Sequence, residues 1–277
     1  MSNTMKIYQL YFKPEQTELL DSAFIPYDNT ENPRPELREW YIWDKEYENC
    51  KQEGLDYWGF VSWKFGEKTG IDGQQFVDFI HANPGFDLYF INPCLINEAV
   101  FINSWEQGDL HHQGISDIGN RFLNKIGYEN IDVKSYILDR TMTMFANYIV
   151  GSAEFWEKFM TFSRKLFTEA ESDPEFYNSV FGEGGSNYNA DPSLPMFTFL
   201  IERLIPIFIE LESIKSIPFA YNADNLPEKY KPYAEELTAL SNLKVLINVY
   251  KDDELFYAWN YYRQKFLTST PGILGLE

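Results

Sequence analysis

Glu202 and Arg203 form a charged pair inside an apolar run, flanked by Phe199-Leu200-Ile201 on one side and Leu204-Ile205 on the other. The plain reading is a solvent-facing pair on an amphipathic helix. The alternative is a carboxylate partly withdrawn from water beside a cleft, where its pKa rises and it can take a proton from a hydroxyl group. Arg203 folded back on it would oppose that rise. Three further groups of polar residues stand where apolar runs stop: Asp28-Asn29 after Phe24-Ile25, Lys64 after Tyr57-Trp-Gly-Phe-Val-Ser-Trp63, and Asn92 after Asp87-Leu-Tyr-Phe-Ile91. Polar residues at the carboxyl end of a buried strand lie on the sheet edge where open α/β folds bind ligands. His111 and His112 are adjacent and so point apart in regular structure, His81 belongs to a helix surface, and Cys50 and Cys94 are far apart, so no zinc motif is present. No phosphate-binding loop, dinucleotide fingerprint or nucleophile elbow occurs.

These groups need elements to position them. Asp87 to Ile91 is a short aromatic and branched run bounded by Pro84-Gly85 and Asn92-Pro93. It reads as a buried strand, because Pro93 blocks helical continuation. Upstream, Lys6–Phe12 and Asp56–Lys64 read as strands. A helix is expected from Asn32-Pro33 to about Lys51, and another follows the cap Asp72 as far as Pro84. Strand, helix, strand, helix, strand predicts an α/β fold with a mainly parallel sheet. Ile7, Phe60, Leu88 and Phe90 are then expected in adjacent strands. Beyond Pro93 the pattern changes to a polar-aromatic segment from Asn97 to Gly114, holding Trp105, His111 and His112. Helices are expected over 115–126, 152–167 and 196–212, the last kinked by Pro206. Strands are expected over 142–150 and 216–221. Residues 171–195 are rich in Gly, Asn and Ser, as an active-site lid would be. Helical segments over 243–249 and 255–266 close the chain.

Composition narrows the class. The 277 residues suffice for one large domain with a smaller helical lobe. A net charge of −19 argues against nucleic acid and anionic membranes as partners. Two cysteines make no disulfide framework, no apolar run reaches the roughly 20 residues of a membrane span, and the first ten residues lack a signal-peptide core. A cytoplasmic protein is expected. Aromatic residues make up 18% of the chain, enough either for a ring-rich core or for stacking surfaces that hold sugars or bases.

The order of segments resembles bacterial glycosyltransferases with the nucleotide-diphospho-sugar transferase (GT-A-like) fold, of the capsule and surface-polysaccharide type. The features that carry the resemblance are Asp28-Asn29 before Leu37-Arg-Glu-Trp-Tyr-Ile-Trp43, the strand Asp56–Phe65, Phe86-Asp-Leu-Tyr-Phe90, Met142–Tyr148 before Glu154-Phe-Trp156, and Phe199-Leu-Ile-Glu-Arg-Leu204. It runs from about Lys6 to Tyr221. Where relatives carry a His-Tyr-Arg-Arg strand ending, this chain has Ser62-Trp-Lys-Phe65, and Asn92-Pro93 replaces the Asp-x-Asp metal motif.

The resemblance implies a GT-A-like domain over 1–222, with a mixed, mainly parallel sheet flanked by helices, and a helical extension over 223–277 packed on it. It implies transfer of a sugar from a nucleotide-diphosphate donor to a glycan or lipid-linked acceptor in surface polysaccharide synthesis, with Mg or Mn as the candidate cofactor. Asp28, Asn29, Lys64, Asp87 and Asn92 would bind the donor. Trp105, His111, His112 and Asn147 would bind the acceptor, and Glu202 would be the acceptor base of an inverting enzyme, whereas a retaining one needs no such base. Two other readings remain: a non-catalytic carbohydrate-binding protein of the same fold, and a glycoside hydrolase pairing Glu183 with Glu202.

Overall fold

The computed structural model describes residues 4–182 and 194–274. β1 (Met5–Tyr11) leads through a 3-10 turn to β2 (Ile25–Asp28), then to α1 (Arg38–Gln52) and β3 (Tyr57–Ser62). Two helices follow, α2 (Phe65–Thr69) and α3 (Gly73–Ala82), and then β4 (Leu88–Phe90). α4 (Leu95–Val100), α5 (Ser104–His111) and α6 (Ile115–Lys125) precede β5 (Ile149–Ser152) and the long α7 (Ala153–Ser172). The rest comprises α8 (Pro174–Phe181), α9 (Met196–Leu211), β6 (Ser216–Pro218), α10 (Ala234–Tyr250) and α11 (Asp253–Ser269).

The six strands form one mixed sheet in the order β2-β1-β3-β5-β4-β6. β1 pairs parallel with β2 and β3, and β4 parallel with β6, whereas β5 runs antiparallel to both its neighbours. Ile7, Phe60, Leu88 and Phe90 therefore share a sheet. β5 separates the strand of Phe60 from that of Leu88 and Phe90, with Ile149 opposite both Phe60 and Phe90.

Side chains alternate between two apolar layers, as the period of a strand requires. Leu10, Phe60, Leu88, Phe90 and Ile149 pack with α1, α7 and α9, while Ile7, Val61, Tyr89 and Val150 pack with Phe65 of α2 and Phe76 and Ile80 of α3. Trp156 of α7 ties the first layer to the sheet: its Nε1 donates to the Trp58 carbonyl at 2.8 Å, and its ring stacks on that of Trp58 at 6.0 Å. Asp72 caps α3 with a full capping box through Gln75, the feature its position in the sequence announces.

Several expectations need correction. α1 begins at Arg38, because Asn32 Oδ1 accepts from the Arg34 amide in a turn instead of capping a helix. The strand expected over 142–150 is confined to its end, since Ala146 and Asn147 have φ of 96° and 55°, outside the extended region. The segment 171–195 is not one long loop: α7 continues to Ser172, α8 follows, and residues 183–193 lie outside those described. The segment 97–114 holds most of α4 and all of α5.

A third apolar cluster joins α4 to α10 and α11 through Ile96, Val100, Phe101, Leu240, Ile247 and Trp259. Lys244 pins this junction. Its fully buried ammonium donates to the carbonyls of Glu98 and Phe101 at 2.6 and 2.8 Å, and lies 3.6 Å from Glu98 Oε1. Removing one member of a buried pair strands the other charge. Lys244→Met should therefore lower the unfolding free energy by about 3–5 kcal/mol in urea titrations, and the double variant Glu98→Gln/Lys244→Met should recover part of that loss.

Candidate functional site

Because β4 and β6 run parallel to β1, β2 and β3, five strands end on one edge of the sheet, and the antiparallel β5 begins there. Crossing that edge from β2 to β6, the chain presents Asp28-Asn29, Tyr11, Ser62-Trp63-Lys64, Asn147-Tyr148, Asn92 and Phe219–Tyr221. Backbone hydrogen bonds extend the ladders just past the strands: Asn29 N to Tyr11 O, Trp63 N to Leu10 O, Ile91 N to Tyr148 O and Phe219 N to Phe90 O, all between 2.7 and 3.1 Å. A 2.7 Å hydrogen bond between Ser62 Oγ and the Tyr148 hydroxyl links the ends of β3 and β5.

Glu202 reaches this edge from α9. The Ala146 amide, Arg203, Glu39 and Lys68 all lie within electrostatic reach of its carboxylate. Burial is the main influence on it and pushes its pKa above the ordinary carboxylate range, with Arg203 and Lys68 opposing the rise and Glu39 adding to it. Arg203 does not fold back onto it. Arg203 is buried at 3% exposure on another side of α9, where it donates to the carbonyls of Ser104 and Phe199 and to Gln107 Oε1. The pair thus divides its work, Arg203 fastening α9 to α5 while Glu202 lines the edge. Pro206 adds a local feature: it has no N–H to offer the Glu202 carbonyl one helical turn before it.

The other sequence-predicted residues separate into two groups. Asp28, Asn29, Lys64, Asn92 and Asn147 stand on the same edge as Glu202. Asp28 is held below the usual carboxylate range, chiefly by hydrogen bonds from Thr30, with Tyr11 contributing. Asn29 and Asn147 are buried, and Asn29 Nδ2 and Asn147 Oδ1 have no hydrogen-bond partner. Lys64 Nζ lies 3.8 Å from Glu67 and 4.9 Å from the Trp63 ring centroid. Asp87 does not join them. It precedes β4 and so lies on the opposite edge, where its carbonyl accepts from Ser152 N and its carboxylate from Lys215 N.

Trp105 and His112 are interior residues. Trp105 is fully buried, with its ring against Gly119, where a Cβ would lie 2.4 Å from it. His112 stacks on Phe199 with ring centroids 3.7 Å apart, and burial, helped by Arg203, pushes its pKa down to about 4. His111, beside it, is shifted in the same direction for the same reasons. Trp105 and His112 belong to the packing of α5 against α6 and α9, while His111, at the end of α5, is half-buried, and the signal that suggested them, aromatic and polar residues close together, does not distinguish a surface from a core.

Sequence reasoning missed four contributors to the edge. Lys68 Nζ lies 6.0 Å from the Tyr148 ring centroid and within electrostatic reach of Glu202 and Cys94. Glu39, Tyr148 and Cys94 complete the group, and burial pushes the Cys94 thiol up to about 11, so it is no thiolate nucleophile at neutral pH. The spacing Lys64-x-x-x-Lys68 at a helix start was the available signal for Lys68.

Among the described residues no group of three or more His, Cys, Asp or Glu is placed to hold a metal ion, and β4 ends on Asn92-Pro93-Cys94 without a carboxylate. The described residues do not fit a protein-held Mg or Mn ion, so no chemistry is assigned to one. Glu183, the partner a hydrolase would need, lies outside the described residues. Among those described, no helix is long and apolar enough to cross a membrane.

No protein-family model matches the chain, and no curated protein does. Among solved structures, its architecture is similar to that of a glycosyltransferase. That structure is the apo form of WbbM, a bifunctional glycosyltransferase, with a TM-score of 0.50 and 17% identity over 79% of this chain. The chain spans 46% of the WbbM chain, and at this identity the likeness concerns the fold.

A buried carboxyl group with a raised pKa favours the folded state only while it is protonated. Its contribution is complete below the unfolded pKa of about 4.3 and is lost as pH rises through the folded value. Glu202→Gln should accordingly melt at a higher temperature than the wild type at pH 7 to 8, and the two curves should converge near pH 4.

Proposed function

We propose that the chain is a glycosyltransferase that moves a sugar from a nucleotide diphosphate to a hydroxyl of a glycan or lipid-linked acceptor in surface polysaccharide synthesis. One observation carries this reading: Glu202 stands on the edge of the sheet where open α/β folds bind ligands, beside Ala146 and Lys68 and with its basicity raised by burial. Glu202 removes the proton of the acceptor hydroxyl as that oxygen attacks the anomeric carbon. The bond from that carbon to the diphosphate oxygen breaks, and the nucleoside diphosphate leaves with the electron pair. The acceptor's proton ends on Glu202, and the sugar is inverted.

Asp28 and Asn29 would meet the nucleoside at the β2 end of the edge. Lys64 and Lys68, one helical turn apart, would take the diphosphate and stabilise the charge it gains on leaving. The strained pair Ala146-Asn147 supports the same placement, since backbone held at positive φ without glycine costs energy and concentrates at functional sites. Residues 1–222 would carry the chemistry and 223–277 would pack on them, the whole working in the cytoplasm.

Calorimetry with UDP, GDP and CMP tests the donor half. At least one should bind, and Lys68→Ala and Lys64→Ala should each weaken it about 10-fold or more, as the loss of a charge-assisted hydrogen bond does. Binding of a sugar with no nucleotide would leave a carbohydrate-binding protein in place of a transferase. In a transfer assay Glu202→Gln should lose about 10²–10⁴ in rate at unchanged donor affinity. The wild-type rate should climb with pH along an acid limb whose midpoint lies above the ordinary carboxylate range, since the base works only when deprotonated.

A further inference from the structure

α11 buries Trp259 and Phe266 and turns the opposite face outward. Residues three and four apart share a helix face, so Glu254, Tyr257, Tyr261, Lys265 and Thr268 form one stripe along it. All five are exposed, Tyr257 at 70% and Tyr261 at 55%. Lys265 leans along the stripe, its Nζ 4.8 Å from the centroid of the Tyr261 ring. Beside the stripe an apolar groove of about 680 Å³ runs between α10 and α11, lined by Leu240, Leu243, Tyr262 and Phe266. Val249 and Tyr250, where α10 ends, are exposed as well. Large side chains gathered on one exposed face in this way mark an interaction surface, and tyrosine is a favoured residue there.

The order of charges along the stripe indicates its occupant. Asp253 and Glu254 stand at its amino end and Lys265 near its carboxyl end, with the two tyrosines between them. Glu254 and Lys265 lie eleven positions apart, roughly 16 Å along a helix axis, so they cannot pair within one chain. Among the described residues neither has another ion-pair partner. Such a stripe is its own complement. Turned about a two-fold axis at the height of Asn260, a second copy of α11 runs antiparallel to the first. Glu254 of each copy then meets Lys265 of the other, and Tyr257 packs beside Tyr261. The same register carries Val249 and Tyr250 of one copy toward the Phe266 and Ser269 end of the groove on the other. A chain of net charge −19 repels its own copy over most of its surface, and a face where acid meets base is one on which two copies can approach.

We propose that the outer face of α11 is a homodimer interface, in which two copies of the helix pack antiparallel with Tyr257 and Tyr261 at the centre and a Glu254–Lys265 ion pair at each end. The inference does not depend on the transferase reading. It gives the helical extension a role besides packing on the residues before it.

Sedimentation equilibrium of the whole chain at low salt, over a concentration series up to about 100 μM, tests the interface. The wild type should follow a monomer–dimer equilibrium, and Tyr257→Ser/Tyr261→Ser should sediment as a monomer. Lys265→Glu and Glu254→Lys should each weaken the dimer about 10-fold or more, because the two-fold axis makes every reversal count twice. The exchange Glu254→Lys/Lys265→Glu should restore most of the lost affinity. All these side chains are exposed, and thermal melts by circular dichroism check that each variant is folded. A wild type that stays monomeric overturns the proposal, as does a dimer that the tyrosine variant leaves intact. A folded exchange variant that associates no better than the single reversals overturns it too. A monomeric wild type that floats with phosphatidylcholine vesicles, and loses that binding in the tyrosine variant, would assign the face to a membrane instead.

Discussion

Gly59, in the middle of β3, lies so close to β5 that a Cβ there would stand 2.1 Å from the Ile149 carbonyl oxygen and 2.6 Å from the Val150 Cα. No side chain fits that gap, and neither neighbouring strand can retreat, because β5 is hydrogen-bonded on both sides. The reversed strand is what brings Ala146, Asn147 and Tyr148 to an edge where every other strand ends. From there the Ala146 amide reaches Glu202, and the Tyr148 hydroxyl reaches Ser62. The candidate site is in this sense a product of one antiparallel insertion in an otherwise parallel sheet.

The polar edge is supported by a core built mostly of rings. Trp43, Trp58, Trp156, Phe60 and Phe159 meet edge-to-face or stacked within 5.6 to 6.3 Å of one another. Such contacts add to simple burial and prefer particular geometries, which helps one arrangement of α1 and α7 on the sheet to prevail. The abundance of aromatic residues in the sequence is explained largely by this layer. The same packing answers why Trp105 and His112 are unavailable to a ligand: the ring of Trp105 fills the space above Gly119, and His112 lies flat on Phe199.

Local signals in the sequence were reliable for what is decided locally. The runs around Ile7, Phe60 and Leu88 are strands, Asp72 caps a helix with Gln75, and the polar residues that follow β2, β3 and β4 do share an edge. Which strand neighbours which is settled by contacts between distant residues, and nothing within 142–152 declares that β5 slips between β3 and β4 in reverse. Asp87 illustrates the limit from the other direction. The resemblance places it with Asn92 in the donor set, yet a strand has two ends on opposite edges, and only Asn92 follows it. Lys68 has only its spacing from Lys64 to announce it, since a sequence shows where a strand stops but not how the next helix leans.

Pro206 carries a consequence for how the molecule breathes. A helix whose ladder lacks one rung is two cooperative segments joined at that rung, and amide hydrogen exchange detects the boundary. The segment from Met196 to Ile205 carries Glu202 and is buried through Phe197, Leu200, Leu204 and Ile205, and the segment after Pro206 is buried by Ile207, Phe208 and Ile209. Both halves are thus held in the core, the first also by the bonds of Arg203 to α5. Glu202 is itself the residue whose carbonyl lacks that rung, so the boundary falls beside the carboxylate that lines the edge.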